Sequence, residues 1–371
     1  MAELEVPLSS KKKIALEKMC EQELGPNQDP QVMSAIWLDA TGKPILFYFG
    51  QRVVDQGSGE TLDLSEQYKG RTQKDLDSYM ENNPKADIAH DGLNEKLCRI
   101  YQLAAQALCS DMAPNLRMDR TRHEGVNVMQ YDAPAQSQTH DLAANDGEDI
   151  GVDDGMKNHP AYESDLSNSG VQEYERAGVV HLVHGWIQQG QPEKGLFISG
   201  DVSRSSSSLA ATGSYYALTQ DVADLLAAMF KVAFPDWYSR YREAFDAGVW
   251  IPNDTGPFLG RAIIYKLQGR LHRDRHDLGP SACFGVGSYI GGAMKIPQLN
   301  AKLAYQSGDV CIFFSSILYH KVDTYFPTTQ SQEEKEQKIT PGRIGSVFFF
   351  PKESYEVLKD KDSVFQLVRK R

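Results

Sequence analysis

The 371-residue chain has few cysteines and no long apolar stretch. Its five cysteines are scattered, odd in number and without the spacing of a metal-binding motif, which is typical of a reduced intracellular protein. No apolar run approaches the length of a membrane span, and the N-terminal residues lack the apolar segment of a signal peptide. We therefore expect a cytoplasmic protein with no membrane partner.

The sequence also lacks the usual signs of phosphate binding. No Gly-rich motif followed by Lys is present, and no basic stripe of the kind that grips nucleic acid is visible. The formal net charge is −11, but residues 132–175 hold eleven acidic residues against one Lys, so the rest of the chain is close to neutral. The only marked basic cluster is the three lysines at 11–13. This distribution argues against a nucleic-acid partner, although a basic face on the folded protein stays possible.

The length and a hydrophobic content of 41% allow one large core or two ordinary ones. Residues 132–178 are acidic and rich in Asn, Gly and Ser, which predicts a flexible excursion, because such a segment has few apolar side chains to bury. We therefore divide the chain into an N-terminal hairpin and helical region (1–131), this acidic excursion (132–178) and a third region of helices and short strands (179–371). We expect all three to belong to one compact domain.

Hydrophobic periodicity predicts the elements that precede residue 255. Two apolar runs on either side of residues 39–43 predict a β-hairpin, and residues 126–131 predict a short strand. Ser214 is interpreted as a helix N-cap, and the serine run at 203–208 as a polar loop. The predicted helices span 65–83, 92–112 and 214–234.

From residue 256 onward, short β-branched and aromatic runs alternate with glycines. The candidate strands are 262–267, 282–288, 293–296, 302–305, 310–314, 318–322 and 344–350. Seven short strands at this spacing predict a sandwich or jelly roll. The predicted fold class is therefore α+β, with a double-stranded β-helix (jelly-roll) core buttressed by helices.

The strongest chemical signal is a set of four side chains in this β-rich part. His272 and Asp274 share one face of an extended segment, because side chains alternate along a strand. A second imidazole, His320, follows far downstream, and Arg343 begins an almost wholly apolar run. Two His and one carboxylate on one side of a metal is the arrangement of non-haem Fe(II) oxygenases. A lone His-x-Asp is a weak pattern, but this order on strand-like segments is much more specific.

Two further features of the sequence bear on the site. A guanidinium can grip a carboxylate through two parallel hydrogen bonds, so an inward-facing Arg343 is predicted to anchor the distal carboxylate of 2-oxoglutarate; a surface Arg after a Pro-Gly turn is the alternative. His181 and His184 lie three residues apart, which would bring them together only on a helix. The valines around them predict a strand, so no ligand role is expected for this pair.

The order His-x-Asp, His, Arg resembles the 2-oxoglutarate/Fe(II)-dependent oxygenase superfamily. More narrowly, the run His-Arg-Asp-Arg-His-Asp at 272–277 resembles the His-Arg-Asp-x-His-Asn stretch of the ten-eleven-translocation and J-binding-protein group, which oxidises methyl groups of thymine or 5-methylcytosine. It also resembles fungal relatives of that group, some of which serve small-molecule biosynthesis. The resemblance covers about residues 256–352. It implies Fe(II) as cofactor, with 2-oxoglutarate and O2 consumed, CO2 and succinate released, and an unactivated C–H bond oxidised.

Two positions depart from the pattern of these relatives. Asp277 stands where the nucleobase oxidases tend to have Asn, and Gly345 stands where the superfamily often places Ser. The co-substrate pocket is therefore expected to use another hydroxyl, from Tyr265 or Tyr319. The residues expected to face the substrate or to support the metal ligands are His276, Arg261, Ile344 and Phe348.

Two functions compete on this basis. The first is oxidation of a small molecule, for example an aliphatic amino acid such as valine, which agrees with the absence of a nucleic-acid module. The second is oxidation of methylated nucleobases in DNA or RNA, which would need a phosphate-gripping face and a base-flipping pocket. A non-catalytic jelly-roll binding protein is a third function, which the complete set of four site residues disfavours.

Overall fold

The computed structural model describes most of the chain. The described residues are 10–62, 71–113, 116–119, 121–125, 177–187, 192–251, 253–328 and 330–363. The strand predicted at 126–131 and the acidic excursion up to residue 176 lie outside them and stay predictions. Within these ranges, no helix is both long and apolar enough to cross a membrane.

The described residues combine helices with antiparallel strands. The helices are α1 (Ser10–Gln22), α2 (Gln73–Asn82), α3 (Glu95–Asp111), α4 (Gly200–Ser203), α5 (Ser206–Leu218), α6 (Gln220–Ala233), α7 (Pro235–Gly248), α8 (Gln332–Glu336) and α9 (Lys352–Leu358). The strands are β1 (Ala35–Leu38), β2 (Pro44–Phe49), β3 (Gln51–Asp55), β4 (Ala86–His90), β5 (His123–Gly125), β6 (Gly178–Val183), β7 (Trp186–Ile187), β8 (Leu196–Phe197), β9 (Gly260–Tyr265), β10 (Leu267–Gly269), β11 (Ser281–Gly291), β12 (Met294–Ile296), β13 (Ala301–Leu303), β14 (Val310–Phe313), β15 (Lys321–Val322), β16 (Tyr325–Pro327) and β17 (Gly342–Phe349). This mixture confirms the predicted α+β class.

The largest sheet joins strands from distant parts of the chain. Its order is β1-β2-β14-β11-β17-β9-β6, with β16 also paired to β11, and every pair is antiparallel. The hairpin predicted around residues 39–43 is confirmed as β1 and β2, and it joins the sheet through β14. The smaller sheet β13-β12-β15 lies in the β-rich part, and the sheet β10-β5 joins this part to residues 123–125.

The main hydrophobic core lies between the large sheet and four helices, α3, α5, α6 and α7. The helices contribute buried residues such as Tyr101, Leu226 and Phe245, and the sheet contributes Ile263 and Phe284. The apolar stripe that predicted α3 forms part of this core. Complete burial of such a side chain contributes roughly 1.5–3 kcal/mol, so this face of the sheet provides much of the stability. The opposite face of the large sheet lines a cavity.

The helical region around residue 214 differs from the prediction. The serine run is not a loop, because the Ser205 side chain accepts a hydrogen bond from the Ser208 N–H (3.0 Å) and starts α5. Ser214 is therefore an interior residue of α5 and not an N-cap. The predicted long helix is also divided at Thr219, whose hydroxyl donates to the Tyr215 carbonyl at 2.7 Å. The hydroxyls of serine and threonine form hydrogen bonds with nearby backbone groups. These residues are therefore favoured at the ends of helices over their interiors.

Candidate metal centre and active-site cavity

Two distant segments hold the three predicted metal ligands. The N–H of His272 donates to the carbonyl of His320 (3.0 Å), and the N–H of His320 donates to the carbonyl of His272 (2.9 Å). The N–H of Asp274 donates to the carbonyl of Ser315 at 2.9 Å. Backbone hydrogen bonds therefore fix the positions from which the three side chains project.

The side chains of His272, Asp274 and His320 converge. Their ligand atoms all lie within 4.8 Å of one another, and no second group of this kind occurs among the described residues. The Nε2 atoms of His272 and His320 are each 3.7 Å from an oxygen of Asp274. The structure thus brings together the three residues that the sequence nominated, and their role as ligands stays a prediction.

The hydrogen bonds of the two rings leave the correct nitrogen free for a metal. The Nδ1 atom of His272 lies 2.6 Å from the carbonyl oxygen of Arg270, and that of His320 lies 3.1 Å from the carbonyl oxygen of Leu318. A carbonyl oxygen only accepts, so each Nδ1 carries the hydrogen and each Nε2 keeps its lone pair.

The charges of the centre also suit a divalent metal. Burial, and after it the neighbouring His272, lowers the pKa of His320 to about 4, so this ring is neutral near pH 7. Burial alone would raise the pKa of Asp274, but His272 and His320 outweigh it and lower that pKa. Two imidazoles and one carboxylate with open positions fit Fe(II).

Three residues that the sequence analysis did not nominate support this centre. Arg122 Nη1 lies 3.2 Å from an oxygen of Asp274, and Arg122 Nε lies 3.2 Å from an oxygen of Asp119. The ring of His123 lies 6.1 Å from the ring of His272. The pairing of β5 with β10 brings these residues to the site. Such a contact between distant segments leaves no periodic or spacing signal in the sequence.

Arg343 lies in the same cavity and has no acidic partner among the described residues. It is only 4% exposed, and its guanidinium carbon lies 4.8 Å from the ring centre of Tyr305 and 5.8 Å from that of Tyr289. No carboxylate of the described part of the chain forms a salt bridge with it, and its Nε has no hydrogen-bond partner there. A buried charge without a counter-ion is costly, so this geometry favours an anionic ligand.

Two glycines make room for this guanidinium. Gly285 on β11 lies directly opposite Gly345 on β17. A Cβ atom at Gly285 would lie 2.9 Å from Arg343 Nη2, and one at Gly345 would lie 2.9 Å from Arg343 Nη1. Glycine at 345, where the resemblance led us to expect serine, therefore has a steric reason in this chain.

The prediction that Ile344 and Phe348 line the pocket is corrected by the structure. Both side chains pack into the main core with the helices. Alternate residues of a strand point to opposite faces, so the residues that share a face with Arg343 are the odd-numbered ones. The residues of β17 with that parity line the cavity: Arg343, Gly345, Val347 and Phe349.

The two hydroxyls expected beside the co-substrate also lie elsewhere. Tyr265 belongs to the main core, and Tyr319 packs in a separate apolar cluster with Cys20. Neither residue lines the cavity. The tyrosines that flank the Arg343 guanidinium are Tyr289 and Tyr305, which a single sequence does not distinguish from other aromatic residues of the strands.

Arg261 is not a substrate-facing residue. It is 1% exposed, and its guanidinium forms a salt bridge with Asp254 at 2.5 Å and stacks 4.1 Å from the ring centre of Tyr216. Asp254 also lies 2.7 Å from His184 Nε2. His184 therefore belongs to a buried polar network, whereas His181 lines the cavity, so the two histidines lie in different surroundings.

His276 and Asp277 both lie at the cavity. The His276 side chain is about half exposed at the rim, with Nδ1 3.1 Å from a carboxylate oxygen of Glu353. Asp277 is buried and accepts hydrogen bonds from Ser281 (2.9 Å) and Ser315 (3.0 Å). Burial, and next the charge of Asp274, raises the pKa of Asp277 well above its usual value. These bonds attach the segment that carries His272 and Asp274 to the start of β11 and to the residues after β14.

The chain shows partial similarity to solved structures. No protein-family model and no curated protein matches it. NgTET1 in complex with 5mC DNA matches with 17% identity over 48% of this chain and 62% of the other, at a TM-score of 0.36. OsALKBH1 matches with 19% identity over 35% of this chain and 63% of the other, at a TM-score of 0.25. The chain thus spans less than two thirds of either protein.

Both matches are below 20% sequence identity. The likeness covers half of this chain or less.

Proposed function

We propose that the protein is an Fe(II)/2-oxoglutarate-dependent oxygenase that oxidises an unactivated C–H bond of a small molecule, with CO2 and succinate as co-products. The observation that carries this proposal is a single cavity of about 930 Å³ that contains both the His272, Asp274 and His320 cluster and Arg343. One group is suited to a divalent metal, and the other is a buried cation with no counter-ion among the described residues. Together they supply the two ends of a site for a metal-chelating dicarboxylate.

We further propose that the fold is a double-stranded β-helix. In this assignment the large sheet forms one wall, and the sheet β13-β12-β15 belongs to the other. The antiparallel pairing of both sheets, and the bridge between His272 and His320 at the edge of the cavity, support the assignment.

Each group of residues has a defined task in this proposal. His272, Asp274 and His320 would hold Fe(II), which when bound supplies the activation of O2. Arg343 would take the distal carboxylate of 2-oxoglutarate through paired hydrogen bonds. The apolar side chains of Ile264 and Val347 on the cavity wall would exclude water from the reacting groups.

The substrate is assigned to small molecules because of the charges around the cavity. The described lining mixes cations with carboxylates. Besides Arg343, the cations are Arg117, Arg122 and Arg204; the carboxylates outside the metal cluster include Asp119, Asp201 and Glu353. The lysines at 11–13 lie on α1 and do not line the cavity. Oxidation of methylated nucleobases remains the alternative.

The metal cluster is tested by removing one ligand at a time. We expect His272→Ala, Asp274→Ala and His320→Ala each to lower Mn(II) affinity by about tenfold or more, because each removes one of three protein ligands. Titration of the metal followed by electron paramagnetic resonance measures this. His276→Ala, which removes an imidazole at the rim of the same cavity, should bind Mn(II) normally. Normal metal binding by the His320 variant with loss in the His276 variant would overturn the ligand assignment.

The two substrate classes are separated by salt dependence and by succinate release. A protein that contacts several phosphates loses roughly three orders of magnitude of affinity over a modest rise in salt. We expect weak binding to single- or double-stranded DNA, and no stimulation of 2-oxoglutarate turnover by methylated DNA. Tight, salt-sensitive DNA binding together with methyl-dependent succinate release would establish the alternative function.

A further inference from the structure

His123 is a buried imidazole at the cavity that the proposed iron and co-substrate chemistry does not use. It lines the cavity and is only 9% exposed. Its Nδ1 is buried without a hydrogen-bond partner among the described residues. Buried polar atoms in folded proteins are nearly always hydrogen-bonded, so a buried nitrogen left unpaired beside an open cavity marks a position where a ligand supplies the missing bond.

The fold holds His123 beside the metal cluster without making it a ligand. β5 pairs with β10 so that His123 lies opposite Gly269, close in sequence to His272. Its ring centre is 6.1 Å from that of His272, and it is not part of the group of converging metal ligands. The preceding residue, Arg122, is tied to Asp274. His123 is therefore positioned to contact a molecule that approaches the metal.

A second imidazole lines the same cavity. His181 shares three charged neighbours with His123, namely Asp119, Arg122 and Asp274, and has Asp201 as a further one. Burial is the main reason that the pKa of both rings is lowered, to about 4 for His123. A neutral imidazole offers one hydrogen-bond donor and one acceptor.

The surroundings of these two rings disfavour a charged substrate group. The sheet beside His181 is apolar, with Ala262 opposite it and Ile264 opposite Val179 in the pairing of β6 with β9. The nearby guanidinium of Arg122 is already paired with Asp119 and Asp274. An ion added beside Arg122 would lose its hydration without gaining an unpaired counter-ion from this guanidinium.

We propose that His123, with His181 in the same cavity, hydrogen-bonds a neutral polar group of the substrate, an amide or amide-like heterocycle, and so orients the target C–H bond toward the metal. This inference rests on the proposed function, because the metal defines where that bond must lie. His123 is thus a positioning residue that selects for a neutral substrate group. It is neither a metal ligand nor a contact of 2-oxoglutarate.

The test uses the full chain loaded with Mn(II) and 2-oxoglutarate, and three small probes of similar size. The probes are 2-pyridone (a neutral amide), benzoate (an anion) and benzylamine (a cation). The relaxation that Mn(II) induces in the probe protons reports binding close to the metal. We expect 2-pyridone to bind more tightly than the other two. Its affinity should fall about fivefold or more in His123→Leu, and should be largely retained in His123→Asn, which keeps a donor and an acceptor.

Several outcomes would overturn the inference. Equal 2-pyridone affinity in the wild type and the Leu variant would show that His123 does not hydrogen-bond this probe. Tighter binding of benzoate or benzylamine would show that the site does not prefer a neutral group. A loss of Mn(II) affinity in both His123 variants would place this residue in the metal centre. Thermal unfolding of each variant checks that it is folded.

A separate measurement distinguishes failure of this inference from failure of the proposed function. Mn(II) and 2-oxoglutarate affinities of the wild type are measured first and test the function alone. Saturation-transfer NMR of 2-pyridone on the metal-free wild type and Leu variant then tests the His123 contact without any metal. The contact inference fails if the two proteins give equal transfer.

Discussion

At the scale of single residues, the arrangement around Arg343 allows a substitution that changes ligand binding with little effect on the stability of the fold. The guanidinium is buried between tyrosine rings, and its end rests on Gly285 and Gly345. The atom that a Cβ at Gly345 would meet is the flexible end of the arginine, not the backbone. A side chain at 345 would therefore displace the guanidinium at little cost to the fold.

We predict from this contact that Gly345→Ala lowers 2-oxoglutarate affinity about tenfold, which corresponds to roughly 1.4 kcal/mol, with little change in Mn(II) affinity. Calorimetric titration of both ligands measures the split. Gly213→Ala is the matched control, because Gly213 lies inside α5 and a Cβ added there would meet no described atom within 4 Å, so this variant should bind 2-oxoglutarate normally. Equal 2-oxoglutarate affinity in the Gly345 variant would show that Arg343 does not contact this ligand.

At the scale of elements, the start of α5 depends on one hydroxyl. The Ser205 side chain accepts from the Ser208 N–H, whereas Ser206 is exposed in the first turn of the helix. We predict that Ser205→Ala lowers the free energy of unfolding by about 1 kcal/mol, the usual value of an N-cap. Chemical denaturation measures this, with Ser206→Ala as the control. Equal effects of the two substitutions would contradict the cap.

The same element shows which parts of the fold the sequence could predict. Periodicity located α3 and the strands around Arg343, because one face of each is buried in the core. It failed at residues 203–219, where serines and a threonine act through local hydrogen bonds that composition does not reveal. The alternation of side chains along a strand, applied to Ile344 and Phe348 relative to Arg343, would have assigned both to the core.

The candidate site was predictable only where its residues lie in a recognisable order. The His-x-Asp, His, Arg series identified four side chains that the structure brings into one cavity. Arg122 and His123 were missed because β5 reaches the site through pairing with β10, a contact between segments far apart in sequence. Tertiary pairing of this kind depends on the whole fold and not on local residue type.

At the scale of the whole molecule, a buried polar network connects the helical layer to the large sheet. Asp254, in the segment after α7, binds Arg261 of β9 and His184 after β6, and Arg261 also donates to Thr219 between α5 and α6 (3.1 Å). Burial alone would raise the pKa of Asp254, but Arg261 and then His184 lower it from 3.8 to about 2. The carboxylate therefore stabilises the fold while it is ionised.

This network predicts a defined acid sensitivity. A lowered pKa in the folded state gives stability that is present above the unfolded pKa of 3.8 and is lost as the pH falls toward 2. The contribution is on the order of 2 kcal/mol. We predict that Asp254→Asn is less stable near neutral pH, because it leaves Arg261 unpaired, but loses less stability than the wild type between pH 4 and pH 2. Urea denaturation at several pH values measures this.

The exposed carboxylate of Asp224 on α6 provides the control for this experiment. Asp224→Asn should follow the wild-type pH profile at every pH. If the free energy of unfolding depends on pH in the same way in the Asp254 and Asp224 variants, the buried network does not cause the loss of stability in acid.

The attachment of the N-terminal hairpin to β14 has a consequence for how the chain is made. Among the described strands, β14 is the only strand outside the hairpin that pairs with β2. The hydrogen bond between Tyr48 and Asp309 at this junction joins residues that are 261 positions apart. During synthesis at about 5–20 residues per second, the hairpin leaves the ribosome many seconds before its partner strand exists. Its edge is therefore exposed to other chains throughout that interval. Crowded expression should cause aggregation that begins at the first strands, although these lie far from the metal cluster in sequence.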